Sequence, residues 1–255
     1  MLINTIAGLT MGLIVLAPIV LVIVLGQRLG WRPRWIAAGA VTFIGSQMIH
    51  LPLNWVLGQI GLIPSATPVS VQTALVLGLT AGVCEELARA AALTWWVSEV
   101  RDGNKSAAFG LGHGGIEAVI IGILGGFSII NMIALQTMDL GALGLEPEQL
   151  EQVKAQVAAF ANQPAWQPVI PAWERAMAMI NHLFMTTLVM TGLMKREWGW
   201  IAGAIAWHTA INAIAVWLHQ HHGILAAEGA LTAMTVAAAA LWWRQVGADL
   251  KSARG

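Results

Sequence analysis

Seven apolar stretches, each long enough to cross a bilayer, dominate this chain of 255 residues. A membrane helix needs about 20 mostly apolar residues. Stretches that meet this requirement run over roughly residues 3–26, 36–58, 70–98, 106–137, 170–194, 199–219 and 224–243. Only helices and closed barrels satisfy their backbone groups in hydrocarbon, and segments of this length require helices. The expected fold is therefore all-α, a polytopic bundle of about seven spans forming a single membrane domain over 1–255. Composition agrees: 57% of residues are hydrophobic and 10% are charged, against about 25% charged in soluble domains. This excludes a soluble or disordered chain and an electrostatic nucleic-acid binder. No Gly-rich loop follows a strand, so no nucleotide partner is expected. The single cysteine, Cys84, excludes an internal disulfide framework and a cysteine-based zinc cluster.

Basic residues orient the spans. Arg28, Arg32 and Arg34 follow span one, Arg101 and Lys105 follow span three, Lys195 and Arg196 follow span five, and Arg244, Lys251 and Arg254 follow span seven. The alternate connections hold almost no basic residues, and 138–169 is acidic. The positive-inside rule then places the N-terminus outside and the C-terminus in the cytoplasm, and the compact loops suit a bacterial cytoplasmic membrane. Within 138–169, Pro147 with Glu148 marks a helix start, and the stretch around 164–173 leads into span five along the interface. Span four is too long for one straight crossing, so Gly125-Gly126 or the region of Asn131 is expected to end or bend it.

Charges in hydrocarbon cost about 2.5–3.5 kcal/mol on insertion scales. Span three nevertheless carries Glu85, Glu86 and Arg89, span four His113 and Glu117, span five Asn181 and His182, and span six His208 and Asn212. At a rise of about 1.5 Å per residue, His113, His182 and His208 sit about 12–16 Å from their span ends, a common depth. Three i,i+4 pairs (Glu85 with Arg89, His113 with Glu117, His208 with Asn212) each aim two polar groups in one direction. If these faces converge, they form a ligand set for Zn²⁺, which takes imidazole nitrogen and carboxylate oxygen and leaves room for water. Metal-bound water ionises near neutral pH, and a carboxylate outside the coordination sphere can serve as general base.

Structural roles stay open beside these. Glu85 or Glu86 with Arg89 forms a helix-tying ion pair; His113, His182, His208, Asn181 and Asn212 serve as interhelical hydrogen-bond links; Glu117 orients a histidine rather than binding metal. His50 reads as interfacial, His219, His221 and His222 as a solvated outer turn, and Cys84 as a packing residue. Around His113, Gly112, Gly114 and Gly115 permit close helix packing or access for a substrate backbone.

Three phrases, Gly82-Val83-Cys84-Glu85-Glu86-Leu87-Ala88-Arg89, Phe109-Gly110-Leu111-Gly112-His113-Gly114-Gly115-Ile116-Glu117 and His208-Thr209-Ala210-Ile211-Asn212, resemble the YhfC family of intramembrane metalloproteases. That family is related to the type II CAAX prenyl proteases and the bacterial CPBP proteins. The resemblance spans about residues 70–215. It implies a peptidase acting within or beside the bilayer on a peptide or membrane-protein substrate. Glu85 would activate water, His113 and His208 would position it or a metal, and Asn212 would stabilise the oxyanion. His182, an addition to the CAAX pattern, would complete a three-histidine set, with Glu117 beside it. The relatives read Glu-Glu-x-x-x-Arg, whereas here Arg89 is one residue closer, which directs it at Glu85 rather than Glu86 and leaves open which glutamate is the base. Two other classes compete: an ion- or proton-coupled transporter, marked by the same intramembrane Glu, His and Arg groups, and a non-catalytic protease-like scaffold or immunity protein.

Overall fold

The computed structural model describes residues 1–65 and 67–252, with side chains through Val246. Arg254 lies outside the described residues, and Lys251 is described only as helical backbone. Among the described residues every regular element is a helix. The order is α1 (Leu2–Leu29), α2 (Pro33–Gln59), α3 (Val71–Ala91), α4 (Gly103–Thr137), α5 (Pro147–Asn162), α6 (Ile170–Lys195), α7 (Trp198–His222) and α8 (Ile224–Ser252). A single π-helical turn, Ala92–Trp96, ends α3, and short 3₁₀ turns precede α5 and α6. Seven of the helices are long and apolar enough to cross a membrane. α5 is the exception and forms within the acidic connection. Glu146 and Gln149 close a reciprocal capping box around Pro147, the start expected from sequence.

Two expectations need correction. The Gly125-Gly126 pair neither ends nor interrupts α4, which runs unbroken to Thr137. In hydrocarbon no water competes for the backbone, so a helix keeps its ladder through residues that would weaken it in water. The outer histidines form no separate turn either. α7 continues through His222, and Gly223, at φ 83°, makes the reversal alone. His221 Nε2 meets the Val69 carbonyl at 3.0 Å, and its ring stacks on Trp217.

The chain forms two compact units. One contains residues 1–19 and 118–175. Here Asn4 donates to Gln136 at 3.0 Å, and Gly122 lets α4 lie against Val15 of α1. The other contains residues 20–117 and 176–255. In it α3 packs most extensively against α7 and further against α2, and α7 packs on α8. Its apolar core gathers Leu93, Val97, Val100, Phe109, Val189 and Ala204, all fully buried.

Backbone contact at glycine holds the second unit together. A Cβ on Gly112 of α4 would collide with the Ile36 carbonyl of α2, and one on Gly39 of α2 with the Phe109 carbonyl of α4. The two helices thus touch at reciprocal glycines, the small-residue packing that membrane helices use when lipid supplies no hydrophobic drive. Because the obstructing atoms are backbone, a methyl group there must separate the helices. Gly112→Ala is expected to destabilise by about 1–3 kcal/mol. Gly45→Ala on the same α2, where an added Cβ meets nothing within 4 Å, should stay within about 0.5 kcal/mol of the parent. Thermal unfolding in detergent measures both, and equal Tm values for the two variants would contradict the contact.

Candidate functional site

α3 carries the centre of the site. Ser70 caps the helix by accepting from the Thr73 amide at 3.0 Å. Glu85, Glu86 and Arg89 then project from its interior, four to five turns along. Glu86 and Arg89 are both 0% exposed. Arg89 Nη1 donates to Glu86 Oε2 at 2.9 Å. This corrects the expected pairing of Arg89 with Glu85. Residues three apart on a helix are neighbours just as residues four apart are, and Glu85 is already engaged from other helices.

Those engagements come from α2 and α4. His113 Nε2 lies 3.1 Å from Glu85 Oε2, and Gln47 Nε2 donates to Glu85 Oε1 at 3.1 Å. Glu86 also meets α7, with His208 Nδ1 2.9 Å from its Oε1. The second Arg89 nitrogen, Nη2, reaches α6 and donates to His182 Nδ1 at 3.0 Å. A guanidinium only donates, so Nδ1 of His182 accepts and its proton sits on Nε2. That proton is donated to Glu117 Oε2 of α4, 2.6 Å away. Glu117 is thus on His182, as a group that orients a histidine would be.

Ring contacts tie the three imidazoles together. His113 and His182 centroids are 4.9 Å apart, and His182 and His208 are 5.9 Å apart. Gly114 makes the first approach possible, because a Cβ there would lie 2.9 Å from His182 Cδ2. The glycines around His113 therefore serve helix packing on one side and imidazole packing on the other.

Seven predicted groups on four helices thus form two hydrogen-bonded sets, Glu85 with His113 and Glu86 with Arg89, His182, Glu117 and His208, which meet at the His113–His182 ring contact. Asn212 sits one turn beyond His208, half-buried, with no hydrogen-bond partner among the described residues. Asn181 turns elsewhere. It donates to Thr235 Oγ1 at 2.7 Å and accepts from Trp207 Nε1 at 3.0 Å, linking α6, α7 and α8. Cys84 is a half-buried free thiol. Sequence reasoning missed Gln47 and treated His50 as merely interfacial. His50 Nδ1 in fact meets Gln47 Oε1 at 3.0 Å. The available signal was the polar spacing of Gln47, His50 and Asn54 along one face of span two.

The donors of Glu85, His113 and His182 lie within 4.8 Å of one another, and all three residues are buried. One carboxylate and two imidazoles suit a divalent metal. Charge favours one as well. Among the described residues the permanent cation bonded into this cluster is Arg89, beside three carboxyl groups, Glu85, Glu86 and Glu117, so a divalent ion would add positive charge where carboxylates gather. Buried charge without a partner is strongly unfavourable. His113 Nδ1 is buried with no partner, and such an atom points to a water or ion. The residues therefore fit a metal ion, with one condition: both His182 nitrogens are in hydrogen bonds, so this ring ligates only by exchanging one of them.

Removing one member of a buried ion pair leaves the other uncompensated, at about 3–5 kcal/mol. Arg89→Met should lower Tm sharply, and Glu86→Gln in the same chain should recover part of the loss. A double variant no more stable than Arg89→Met alone would mean that Glu86 is not the group Arg89 neutralises.

The model of a family described as YhfC intramembrane metalloprotease matches residues 13–236. A Bacillus subtilis (strain 168) protein named "Uncharacterized membrane protein YhfC" is 24% identical over 236 residues, covering 89% of this chain and 90% of that protein. No solved structure matches the chain. Since the family match runs from within α1 into α8 and takes in every motif-bearing helix, the chain belongs to the YhfC intramembrane metalloprotease family.

Proposed function

We propose that this multi-pass membrane protein is a peptidase that hydrolyses a peptide bond of a membrane-protein or peptide substrate, within or beside the bilayer, using activated water. The observation that carries this reading is the buried meeting of Glu85, His113 and His182, in a chain of a metalloprotease family. These three residues would hold the metal, and zinc is the choice because two imidazoles and a carboxylate are a known catalytic zinc set. When bound, such an ion polarises a carbonyl and lowers the pKa of water.

The chain's own groups divide the remaining work. Glu86 accepts from His208 Nδ1 and so leaves Nε2 of His208 as a proton acceptor. Nε2 takes the proton as the water oxygen bonds to the substrate carbonyl carbon, and returns it to the amine as the C–N bond breaks. Arg89 balances Glu86, and Arg89 or Glu117 keeps one edge of the His182 ring when its other nitrogen turns to the metal. Asn212 offers its unused amide to the oxyanion, the role of a side-chain donor at developing charge. The alternate basic connections support an N-terminus outside, and the match to a Bacillus subtilis membrane protein supports a bacterial cytoplasmic membrane.

Glu85→Ala, His113→Ala and His208→Ala are each expected to lower cleavage of a reporter peptide in proteoliposomes by at least about 100-fold, with folded protein retained. Undiminished cleavage in any one removes that residue from the mechanism. Elemental analysis of the purified protein should find zinc, and a chelator should stop cleavage until zinc is restored. An active, metal-free and chelator-insensitive preparation would overturn the metal. For orientation, a cysteine at Ser65 in a Cys84→Ala background should react with an impermeant maleimide outside intact cells. One at Lys105 should not, and the reverse pattern would invert the topology.

A further inference from the structure

α2 carries three polar side chains that no step above uses. Asn54 Nδ2 lies 2.9 Å from His50 Nε2, His50 Nδ1 lies 3.0 Å from Gln47 Oε1, and Gln47 Nε2 lies 3.1 Å from Glu85 Oε1. Their spacing of three and four residues keeps them on one helix face. The donor inventory sets the direction of every link. An amide NH₂ only donates, so Asn54 makes His50 Nε2 the acceptor and puts the ring proton on Nδ1. That proton goes to Gln47 Oε1, which leaves the Gln47 NH₂ to donate to Glu85. All three links therefore donate toward the carboxylate. Thr80 Oγ1 of α3 lies 3.4 Å from His50 Nε2 and gives its proton to the Leu77 carbonyl, so here the row touches the helix that bears Glu85 without a further hydrogen bond.

The two oxygens of Glu85 are thus divided: Gln47 holds Oε1, and Oε2 faces His113. We propose that Gln47, aligned by His50 and Asn54, is a positioning residue that clamps one oxygen of Glu85 and so presents the other to the site. The proposal rests on Glu85 being a site residue as read above. It separates the two acidic neighbours by function, since Glu86 is held by a cation and Glu85 by a neutral amide. Partners that orient a ligand typically change metal affinity 10–100-fold when lost.

The test is Gln47→Met, close in shape, with Gln47→Leu as a second variant. Zinc affinity, read by competition with a chelating dye, is expected to fall about 10–100-fold in both. kcat should fall while KM holds, as expected of a residue that acts through Glu85 rather than on the substrate. His50→Leu should weaken zinc binding less, since Gln47 keeps its donor. A purely structural Gln47 would change Tm and leave zinc affinity and kcat unchanged, and that result would overturn the proposal. A Gln47→Met and Glu85→Leu double-mutant cycle on chelator-treated protein reads the contact without metal or activity. Non-additive Tm shifts are expected; additive shifts would overturn it. Should the parent bind no zinc, the metal site falls, while the cycle still decides whether Gln47 holds Glu85.

Discussion

Arg89 is the permanent cation at the centre of the buried cluster, and it reaches Glu86 and His182 from a fully buried position. A guanidinium and a carboxylate removed from water are tolerated only with close geometry and further hydrogen bonds. Here the further bonds come from other helices: α7 supplies His208 to Glu86, and α6 supplies His182 to Arg89. The ion pair therefore does more than neutralise charge. It sets which nitrogen of His182 carries the proton, and it directs His208 by one of its nitrogens.

Close backbone packing makes that arrangement possible. Gly112 and Gly39 bring α4 against α2, and Gly114 admits the His182 ring beside His113. The same short segment thus positions an imidazole and clears space around it. Without those glycines the carboxylates and imidazoles would sit on helices too far apart for one ion or one water molecule to bridge. Site geometry and membrane packing are in this sense one constraint, met by the same residues.

Much of this was legible from residues alone. Long apolar stretches mark the spans because lipid forbids unpaired backbone, and the common depth of Glu85, His113, His182 and His208 follows from a constant rise per residue. The capped start of α5 could be read at Pro147 because its signal is local. Other features were not legible. Gly125-Gly126 looked like a break, since glycine weakens helices in water, yet α4 passes through it. Arg89 looked committed to Glu85, since i,i+4 pairing is favoured, yet it bonds Glu86. Gln47 went unnoticed although it shares a face of span two with His50 and Asn54, because helical spacing does not say what that face meets.

The sequence by itself determined the class of fold, the helices that bear polar groups and the chemistry those groups can perform, because each depends on hydrophobicity, helical rise and side-chain type. Tertiary structure alone decided the partnerships: Arg89 with Glu86 and His182, His113 with Glu85, Glu117 with His182, and Gln47 with Glu85. The reason is physical. Helical spacing states which residues share a face, but a buried polar group must take whichever donor or acceptor the neighbouring helices bring within hydrogen-bond distance.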